Sequence, residues 1–389
     1  MQERQAVEQH LIGPSGGATR VGVVFVHGIG QQSESHTVRE FGGALLHWLQ
    51  EWHGRRGSNF CVTSSDLTYG ELAERPARFT IDLEKTGELP AQKWFLAEAW
   101  WAARLSAPNL DEMTWWGLKS AFVRCLRLAE VVVDSFRKLP GSPKAIVEVV
   151  SSLLLFLGYV AAAILSIPLI LGLYVLAQIP GPVEQAVMGL RNFFLDQVGD
   201  FYTFMWDDIQ AVHIRGSVAA AIRFLVEKGE CERIAVVAHS QGTVVAYDAL
   251  CSNAVLPADL ARVTTFVTFG SALNNAWDKR LVPARTCRLN KPLPESISWI
   301  NVWSAYDPVS GGALRITSPI RPPDEEIPVT NWMNVILDHG GYFTNREEFL
   351  SRLAQELESP GARQRSRFFP KDGEKAWSDR RRDRVLTLV

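Results

Sequence analysis

The first clear pattern along the chain is a run of apolar residues followed by a turn and an amphipathic segment. Residues 21–26 (VGVVFV) are continuously apolar and rich in β-branched side chains, which is typical of a strand buried on both faces of a parallel sheet. A His-Gly-Ile-Gly turn follows. In residues 37–52 the apolar positions recur at helical spacing. This part of the chain is therefore predicted to be a strand, a glycine-rich turn and a helix.

The same alternation continues along the rest of the chain. Further strands are predicted at residues 77–83, 94–99, 233–238, 263–269 and 297–303, and further helices at residues 113–136, 209–227, 244–251 and 347–358. Strands that alternate with helices predict an α/β fold with a mainly parallel sheet. No internal repeat is present in the sequence.

One segment departs from this alternation, because residues 149–183 contain no charged side chain. As one straight helix the segment would be roughly 52 Å long, well beyond the about 30 Å of a bilayer core. Pro168 lies in its middle, where it would break or kink a helix. We expect a helical hairpin that dips into the membrane. Two short crossings, a soluble lid over the active site and a dimer interface are the alternatives.

Composition and charge narrow the class of protein. Hydrophobic residues make up 47% of the 389 residues and charged residues 21%, as in a folded chain, and the net charge of −2 does not favour nucleic acid as a partner. The five cysteines include no CxxC pair, which argues against a disulfide framework and a zinc site. Because the first residues lack an apolar stretch, we expect no secretion signal and a catalytic domain in the cytoplasm.

A candidate nucleophile lies in the sequence Ala238-His239-Ser240-Gln241-Gly242, between a predicted strand and a predicted helix. This is the context of the G-x-S-x-G turn, which exposes a serine hydroxyl at the carboxyl end of a sheet. Side chains two before and two after the serine must be small, because the chain turns sharply there. Alanine at the first of these positions meets that need. The alternative interpretation is an ordinary tight turn.

The earlier His27-Gly28-Ile29-Gly30 turn supplies what such a serine would need. Acyl transfer requires two backbone N–H groups directed at the developing oxyanion. The residue after the nucleophile, Gln241, would give one, and Ile29 is placed to give the other. Gly28 and Gly30 would let that backbone bend close to the substrate.

A serine nucleophile also needs a base and an acid that orients the base. Asp307 follows a late strand, and His339 lies in a glycine-flanked loop before the last helix. The order serine, aspartate, histidine is the one expected on this architecture. His27 and His239 are expected to pack and hydrogen-bond around the site. Asp338 is a poor rival acid, because adjacent residues rarely face the same partner.

Five segments, VFVHGIG, AHSQGT, FVTFGSAL, NVWSAYDPVS and DHGGYF, occur in the order found in the α/β-hydrolase superfamily. The chain resembles its lipase-like serine esterases, including small bacterial lipases and GPI-inositol-deacylase-like proteins. The resemblance covers residues 20–60 and 205–350 and implies the α/β-hydrolase fold, with Ser240 as nucleophile, His339 as base and Asp307 as acid. It also implies an oxyanion hole formed by Ile29 and Gln241. Ala238 is the one departure in the core motifs.

The resemblance divides the chain into four parts. Residues 1–72 would form the first part of the hydrolase core and residues 205–358 the second, with a large helical insertion at residues 73–204 that carries the apolar hairpin. Residues 359–389 form a basic tail.

The function expected from these observations is that of a membrane-associated serine hydrolase acting on carboxylic esters, with lipid or acyl esters as substrates. An acyltransferase or thioesterase would use the same triad, and an inactive membrane-bound scaffold would keep only the fold. The mechanism requires no metal and no other cofactor. The expected partners are the ester substrate and the membrane, through residues 149–183, and the oligomeric state stays open.

Overall fold

The computed structural model describes residues 18–28, 33–55, 60–61, 76–83, 91–102, 181, 200–279, 281–282, 287–316, 319–334 and 337–360, together with separate helical positions between residues 116 and 164. Of the uncharged segment at residues 149–183, for which a hairpin is predicted, the structure thus describes only positions up to residue 164 and residue 181. The predicted basic tail lies outside the described residues from residue 361 onward.

The described strands form one sheet of eight. In chain order they are β1 (Thr19–Val26), β2 (Phe60–Cys61), β3 (Arg78–Leu83), β4 (Gln92–Ala99), β5 (Arg233–His239), β6 (Val263–Phe269), β7 (Ser298–Ser304) and β8 (Glu325–Val329). Their order across the sheet is β2-β3-β4-β1-β5-β6-β7-β8. Neighbouring strands are parallel in the pairs β4-β1, β1-β5, β5-β6, β6-β7 and β7-β8. They are antiparallel in the pairs β2-β3 and β3-β4. The predicted α/β fold with a mainly parallel sheet is confirmed.

Helices cover both faces of the sheet. They are α1 (His36–Arg55), α2 (Asp208–Glu227), α3 (Gly242–Cys251), the short α4 (Pro257–Leu260) and α5 (Leu273–Ala276), and the closing α6 (Ser351–Glu358). Two 3₁₀ turns occupy Cys287–Asn290 and Asp338–Thr344, and a π turn occupies Arg346–Leu350.

Strand β1 shows why the first apolar run has no polar interruption. Val21, Val23 and Phe25 pack in a core with residues of α1 and α6. Val24 and Val26 point to the opposite face, into a core that contains residues of α2 and α3. Side chains alternate between the faces of a strand, so a central strand covered on both sides must be apolar throughout.

Three features of the sheet differ from the sequence interpretation, and one is the two-residue strand β2, which is too short to leave a pattern in the sequence. Strands β3 and β4, which the sequence interpretation assigned to the predicted insertion at residues 73–204, belong to the central sheet, where β4 pairs with β1 and β3 pairs with β4. Periodicity identifies a strand but not its neighbours, and the pairing therefore could not be read from the sequence. Strand β8 was missed because its sequence, EEIPV, lacks an apolar pattern. It lies at the sheet edge, where charged residues and proline are tolerated.

Among the described residues, one helix is long and apolar enough to cross a membrane by length and composition alone, namely α2. The apolar side chains of one face are buried in the core beside the sheet, at Ala211, Ile214, Val218, Ala221, Ile222 and Leu225, whereas Ile209 and Val212 are exposed. This burial is typical of a core helix in a globular domain.

Candidate active site

The turn at Ser240 joins β5 to α3 in a strained conformation. Ser240 has a φ of 55°, in the left-handed region that L-residues other than glycine rarely adopt. Two hydrogen bonds hold the turn: the Ser240 N–H donates to the carbonyl of Phe269 in β6 at 3.2 Å, and the Ser240 carbonyl accepts from the Thr243 hydroxyl at 2.6 Å. These contacts keep the serine in place at the carboxyl end of the sheet.

Close steric contacts explain why the residues two before and two after Ser240 are small. A Cβ atom on Gly242 would lie 2.5 Å from the carbonyl oxygen of Val26 and closer still to that of His27. Glycine is therefore required for α3 to begin directly against the end of β1. Ala238, the departure from the usual motif, is fully buried in β5, where its methyl group is accommodated.

Ser240, His339 and Asp307 meet although they are far apart in the chain. The Nε2 atom of His339 lies 2.9 Å from the Ser240 hydroxyl oxygen, and Nδ1 lies 2.9 Å from Oδ1 of Asp307. A neutral imidazole that carries its proton on Nδ1 donates to the carboxylate and accepts from the serine, as a general base must. About a quarter of the His339 side chain (23%) is exposed, so the candidate base is accessible from solvent.

Asp307, the candidate acid, is buried and accepts hydrogen bonds from several donors. Asp307 follows β7, and its side chain has no exposed surface. Its Oδ1 accepts from the Val309 N–H at 2.8 Å, and its Oδ2 accepts from the Tyr342 hydroxyl at 2.8 Å. Burial acts to raise the pKa of Asp307, but hydrogen bonding and the charge of His339, with these two donors, outweigh it and leave the pKa below its usual value. The carboxylate therefore stays ionised.

Tyr342 was not recognised from the sequence. It is fully buried, and its hydroxyl accepts from the Ser304 N–H at 3.0 Å while donating to Asp307. It thereby links the end of β7, the acid and the turn that carries the base. The sequence offered one hint of its contact with the site. Tyr342 lies three residues after His339, in the same turn.

His239, which precedes Ser240 in the chain, contacts both the backbone and the ring of His339. Its Nε2 lies 3.0 Å from the backbone carbonyl of His339, to which it donates, and the two rings stack at 4.7 Å. Burial, assisted by the neighbouring His339, lowers the pKa of His239 to about 3. The ring is thus neutral near pH 7 and fixes the backbone of the base without adding charge to the site. His239 therefore packs against His339 and hydrogen-bonds to its backbone.

His27 likewise is a buried histidine whose ring hydrogen-bonds to the backbone, here at the start of the glycine-rich turn after β1. Its Nδ1 donates to the Gly28 carbonyl at 2.7 Å, and its Nε2 accepts from the Trp101 N–H at 3.1 Å. The ring stacks on the Trp101 indole at 4.6 Å, and burial lowers the pKa of His27 to about 4. Both ring nitrogens are satisfied in a single neutral tautomer, which fixes the start of the turn.

The predicted oxyanion hole is described only in part. Gln241 directly follows the nucleophile and precedes α3, and its side-chain Nε2 donates to the Asp200 carbonyl at 2.9 Å. Gly28 packs on the serine, because a Cβ there would lie 2.7 Å from Cβ of Ser240. Ile29 and Gly30, which the sequence placed in the same hole, lie outside the described residues.

Asp338, the rival acid, faces away from the base. Its Oδ1 accepts from the backbone N–H groups of Trp332 and Met333, at 2.8 and 3.0 Å. It therefore anchors the preceding loop, and the expectation that it would not orient His339 is confirmed.

The lowered pKa values of His27 and His239 predict how the stability of the fold depends on pH. In the unfolded chain each would take up a proton near the ordinary pKa of 6.5, whereas the folded pKa values are about 4 for His27 and about 3 for His239. The unfolded state then binds more protons, so stability is lost progressively as the pH falls from about 6.5 towards 4, by several kcal/mol for the pair. Thermal melts over this range should show the loss. His239→Phe should flatten the dependence, whereas the same change at the exposed His213 should not, and equal slopes would contradict the prediction.

Comparison with known proteins adds no assignment. No protein-family model matches the chain, and no characterised protein is similar to it at a significant level.

Proposed function

We propose that the protein is a serine hydrolase of the lipase and esterase type that cleaves carboxylic esters. The observation that carries this proposal is the continuous series of hydrogen bonds from Asp307 through His339 to Ser240, with the serine on a strained strand-to-helix turn. A serine with no catalytic role would not require positive φ, a histidine at 2.9 Å and a buried carboxylate behind that histidine.

The reaction follows from the protonation states. Ser240 attacks the ester carbonyl while its proton moves to Nε2 of His339, and the Asp307 carboxylate stabilises the imidazolium through Nδ1. The backbone N–H of Gln241, with that of Ile29, would stabilise the oxyanion. His339 then returns the proton to the leaving alcohol, and a water molecule, activated in the same way, hydrolyses the acyl-enzyme.

The sheet supports the α/β-hydrolase fold as part of the proposal. The nucleophile follows a central parallel strand, β5, and the acid and the base come after β7 and β8, in the chain order typical of that fold. With β3 and β4 assigned to the core, the insertion would extend from about residue 102 to about residue 200.

Exposed apolar side chains support membrane association. Helical positions between residues 149 and 164 expose Val150, Leu153, Leu154, Leu157 and Ile164, and those between residues 116 and 136 expose Phe122, Leu126, Val133 and Phe136. Both sets recur at helical spacing, so each forms an apolar stripe that faces outward. Such stripes are unfavourable in water and suit the boundary between headgroups and acyl chains. We therefore propose that the substrate is a lipid or acyl ester reached from the membrane.

The helical positions between residues 116 and 136 are tied to the domain that carries Ser240. The indole Nε1 of Trp116 donates to the Leu281 carbonyl at 3.0 Å, and Glu130 forms an ion pair with Arg315 at 3.7 Å. Arg315 lies in the chain between the acid and β8. A bilayer bound by this stripe would therefore be held close to the segment that carries Asp307.

The activity is tested with a fluorophosphonate probe, which reacts covalently with activated serines. We expect the detergent-solubilised protein to be labelled and Ser240→Ala to be unlabelled, because the attacking oxygen is removed. His339→Ala should be labelled at a rate lower by several orders of magnitude, since no base remains. A folded protein that is not labelled at all would contradict the proposal and favour the scaffold.

Membrane association is tested by removing the uncharged segment. Deleting residues 149–183 and joining the ends with a short polar linker should move the protein from the membrane fraction to the soluble fraction, because the apolar surface is lost. Probe labelling of the deletion variant serves as the control for folding. An intact protein that stays in the supernatant without detergent would refute the membrane proposal and favour a lid.

A further inference from the structure

The two oxygens of the Asp307 carboxylate have different partners. Oδ1 accepts from Nδ1 of His339 at 2.9 Å and from the Val309 N–H at 2.8 Å. Oδ2 accepts from the hydroxyl of Tyr342 at 2.8 Å, and no other group in the described ranges donates to it. Contacts at one oxygen alone would let the carboxylate rotate about its Cβ–Cγ bond. The contact at Oδ2 therefore fixes the plane in which Oδ1 meets the imidazole.

The hydrogen bonds at Tyr342 determine the direction in which its proton points. The phenol oxygen accepts from the Ser304 N–H at 3.0 Å. Because a backbone N–H can only donate and an ionised carboxylate can only accept, the single phenol proton is directed at Asp307. Burial and the charge of Asp307 raise the pKa of Tyr342 well above its usual value, so the phenol keeps this proton.

Close packing holds the phenol in this place. Tyr342 is fully buried, and its ring meets those of Phe269 and Phe349 edge to face, with centroids 5.6 and 6.1 Å away. On another side lies Gly270, which has a φ of 55°. A Cβ atom there would lie 3.0 Å from Cε2 of Tyr342 and 3.1 Å from Oδ2 of Asp307. Glycine thus leaves the space in which the phenol and the carboxylate meet.

Tyr342 also belongs to the turn that carries the candidate base. His339 and Tyr342 both lie in the 3₁₀ turn Asp338–Thr344, whereas Ser304 ends β7 and Asp307 follows it. The two hydrogen bonds of the phenol thus join this turn to the segment that carries the acid. A phenylalanine would fill the same space without placing a hydroxyl in the core, where an unpaired one is costly. The hydroxyl therefore points to a role in holding the carboxylate, which a ring alone could not fulfil.

We propose that Tyr342 is a positioning residue of the triad, whose hydroxyl holds Oδ2 of Asp307 so that Oδ1 stays directed at Nδ1 of His339. Tyr342 is fully buried and acts only through the carboxylate. This inference rests on the proposed function, because an effect on rate requires that Ser240 be the nucleophile and His339 its base.

The donated proton also affects how strongly the carboxylate attracts protons. A hydrogen bond to an ionised carboxylate stabilises that form and makes it a weaker base. With its phenol partner, Asp307 retains the imidazolium proton less strongly, so the site reaches its deprotonated, active form at lower pH. Among the described residues, the ionisable side chains that contact Tyr342 or His339 are Asp307 and, from β5, His239, whose pKa of about 3 leaves it neutral in the working range.

The test is Tyr342→Phe, which keeps the buried ring and removes the hydroxyl. The matched control is Tyr247→Phe. Tyr247 is also fully buried, in α3, and its hydroxyl donates to the Lys291 carbonyl at 2.7 Å. Both variants lose a buried phenol hydroxyl with its hydrogen bonding, but only the first loses a contact to Asp307.

The pH profile distinguishes a positioning role from a merely structural one. With a short-chain p-nitrophenyl ester, kcat of Tyr342→Phe should fall about tenfold while KM changes little, because the acid orients the base for less of the time. The acid limb of the kcat/KM profile should move to higher pH by about half a pH unit, since the carboxylate retains the imidazolium proton more strongly. Tyr247→Phe should show neither change.

A double variant tests whether Tyr342 acts through Asp307. Once Asp307→Asn has removed the carboxylate, adding Tyr342→Phe should lower the rate of fluorophosphonate labelling by no more than about twofold, because the group that the phenol holds is already gone. A general disturbance of the turn would instead lower the rate by about tenfold in both backgrounds.

Three results would each overturn the inference: an unchanged kcat, an acid limb that stays in place, and a loss that persists in full in the Asp307→Asn background. If the wild-type protein neither reacts with the fluorophosphonate nor hydrolyses the ester, the proposed function fails and the inference fails with it. An active wild-type protein with one of the three results refutes the inference alone. If Tyr342→Phe does not fold, 3-fluorotyrosine at position 342 replaces it. Its phenol donates more strongly, so the acid limb should move to lower pH, and an unmoved limb would refute the positioning role.

Discussion

Replacing Asp307 by Asn is expected to lower kcat by about 10⁴-fold with little change in KM, as the loss of the orienting carboxylate does in other serine triads. Oδ1 of Asp307 accepts the Nδ1 proton of His339 at 2.9 Å and keeps Nε2 free to take the serine proton. An Asn amide can donate to Nδ1 instead, which favours the tautomer that carries its proton on Nε2, and that tautomer cannot act as the base. Steady-state kinetics on a soluble ester would measure the loss.

Asp338→Asn is the comparison that makes this test specific. Asp338 is next to the base in the chain, and its Oδ1 holds the amides of Trp332 and Met333. An Asn retains an acceptor oxygen for those amides, so kcat should stay close to the wild-type value. An equal loss of kcat in both variants would show that the whole turn had been disturbed, and the assignment of Asp307 as the acid would fall.

Gly242→Ala should have the largest effect on stability. The added methyl group would lie 2.5 Å from the Val26 carbonyl oxygen and closer to that of His27, and both atoms belong to the backbone of the central sheet or its immediate continuation. Because a backbone cannot move aside as a flexible side chain can, we expect a loss of at least about 3 kcal/mol in the free energy of unfolding. Denaturant unfolding, or failure to accumulate as folded protein, would report it.

Gly216→Ala is the matched control. Gly216 lies within α2, and an added Cβ would have no heavy atom within 4 Å. Alanine is favoured over glycine inside a helix by about 0.5–1 kcal/mol, so this variant should be slightly more stable than the wild type. If both alanine variants unfolded at the same denaturant concentration, the close approach of α3 to β1 would not be the reason for the glycine.

Local patterns in the sequence were sufficient for the parts of the protein that local physics controls. The strand at residues 21–26 and the helix ending at Glu227 were predicted to within two residues, because burial on two faces and helical periodicity both leave regular patterns. The turn at Ser240 was predicted because a sharp strand-to-helix turn limits the residues on either side of it. Asp307 and His339 were identified by their order in the chain and their loop contexts.

The tertiary structure decided what depends on contacts between distant residues. That Asp307 lies within hydrogen-bond distance of His339 depends on the parallel order of β5, β6 and β7, which no single strand encodes. The hydroxyl of Tyr342, which donates to Asp307, belongs to a residue that nothing in the sequence singles out.

The sequence by itself therefore determined the fold class, the strained turn and the three residues of the proposed triad, because each of these leaves a short-range signal in residue size, polarity or spacing. The structure alone decided that β3 and β4 join the central sheet and that two neutral histidines and a tyrosine form hydrogen bonds around the candidate site. These supporting contacts are made by single side chains across separations of up to about a hundred residues. Strand pairing and folding bring such residues together, and neither process leaves a periodic trace in the chain.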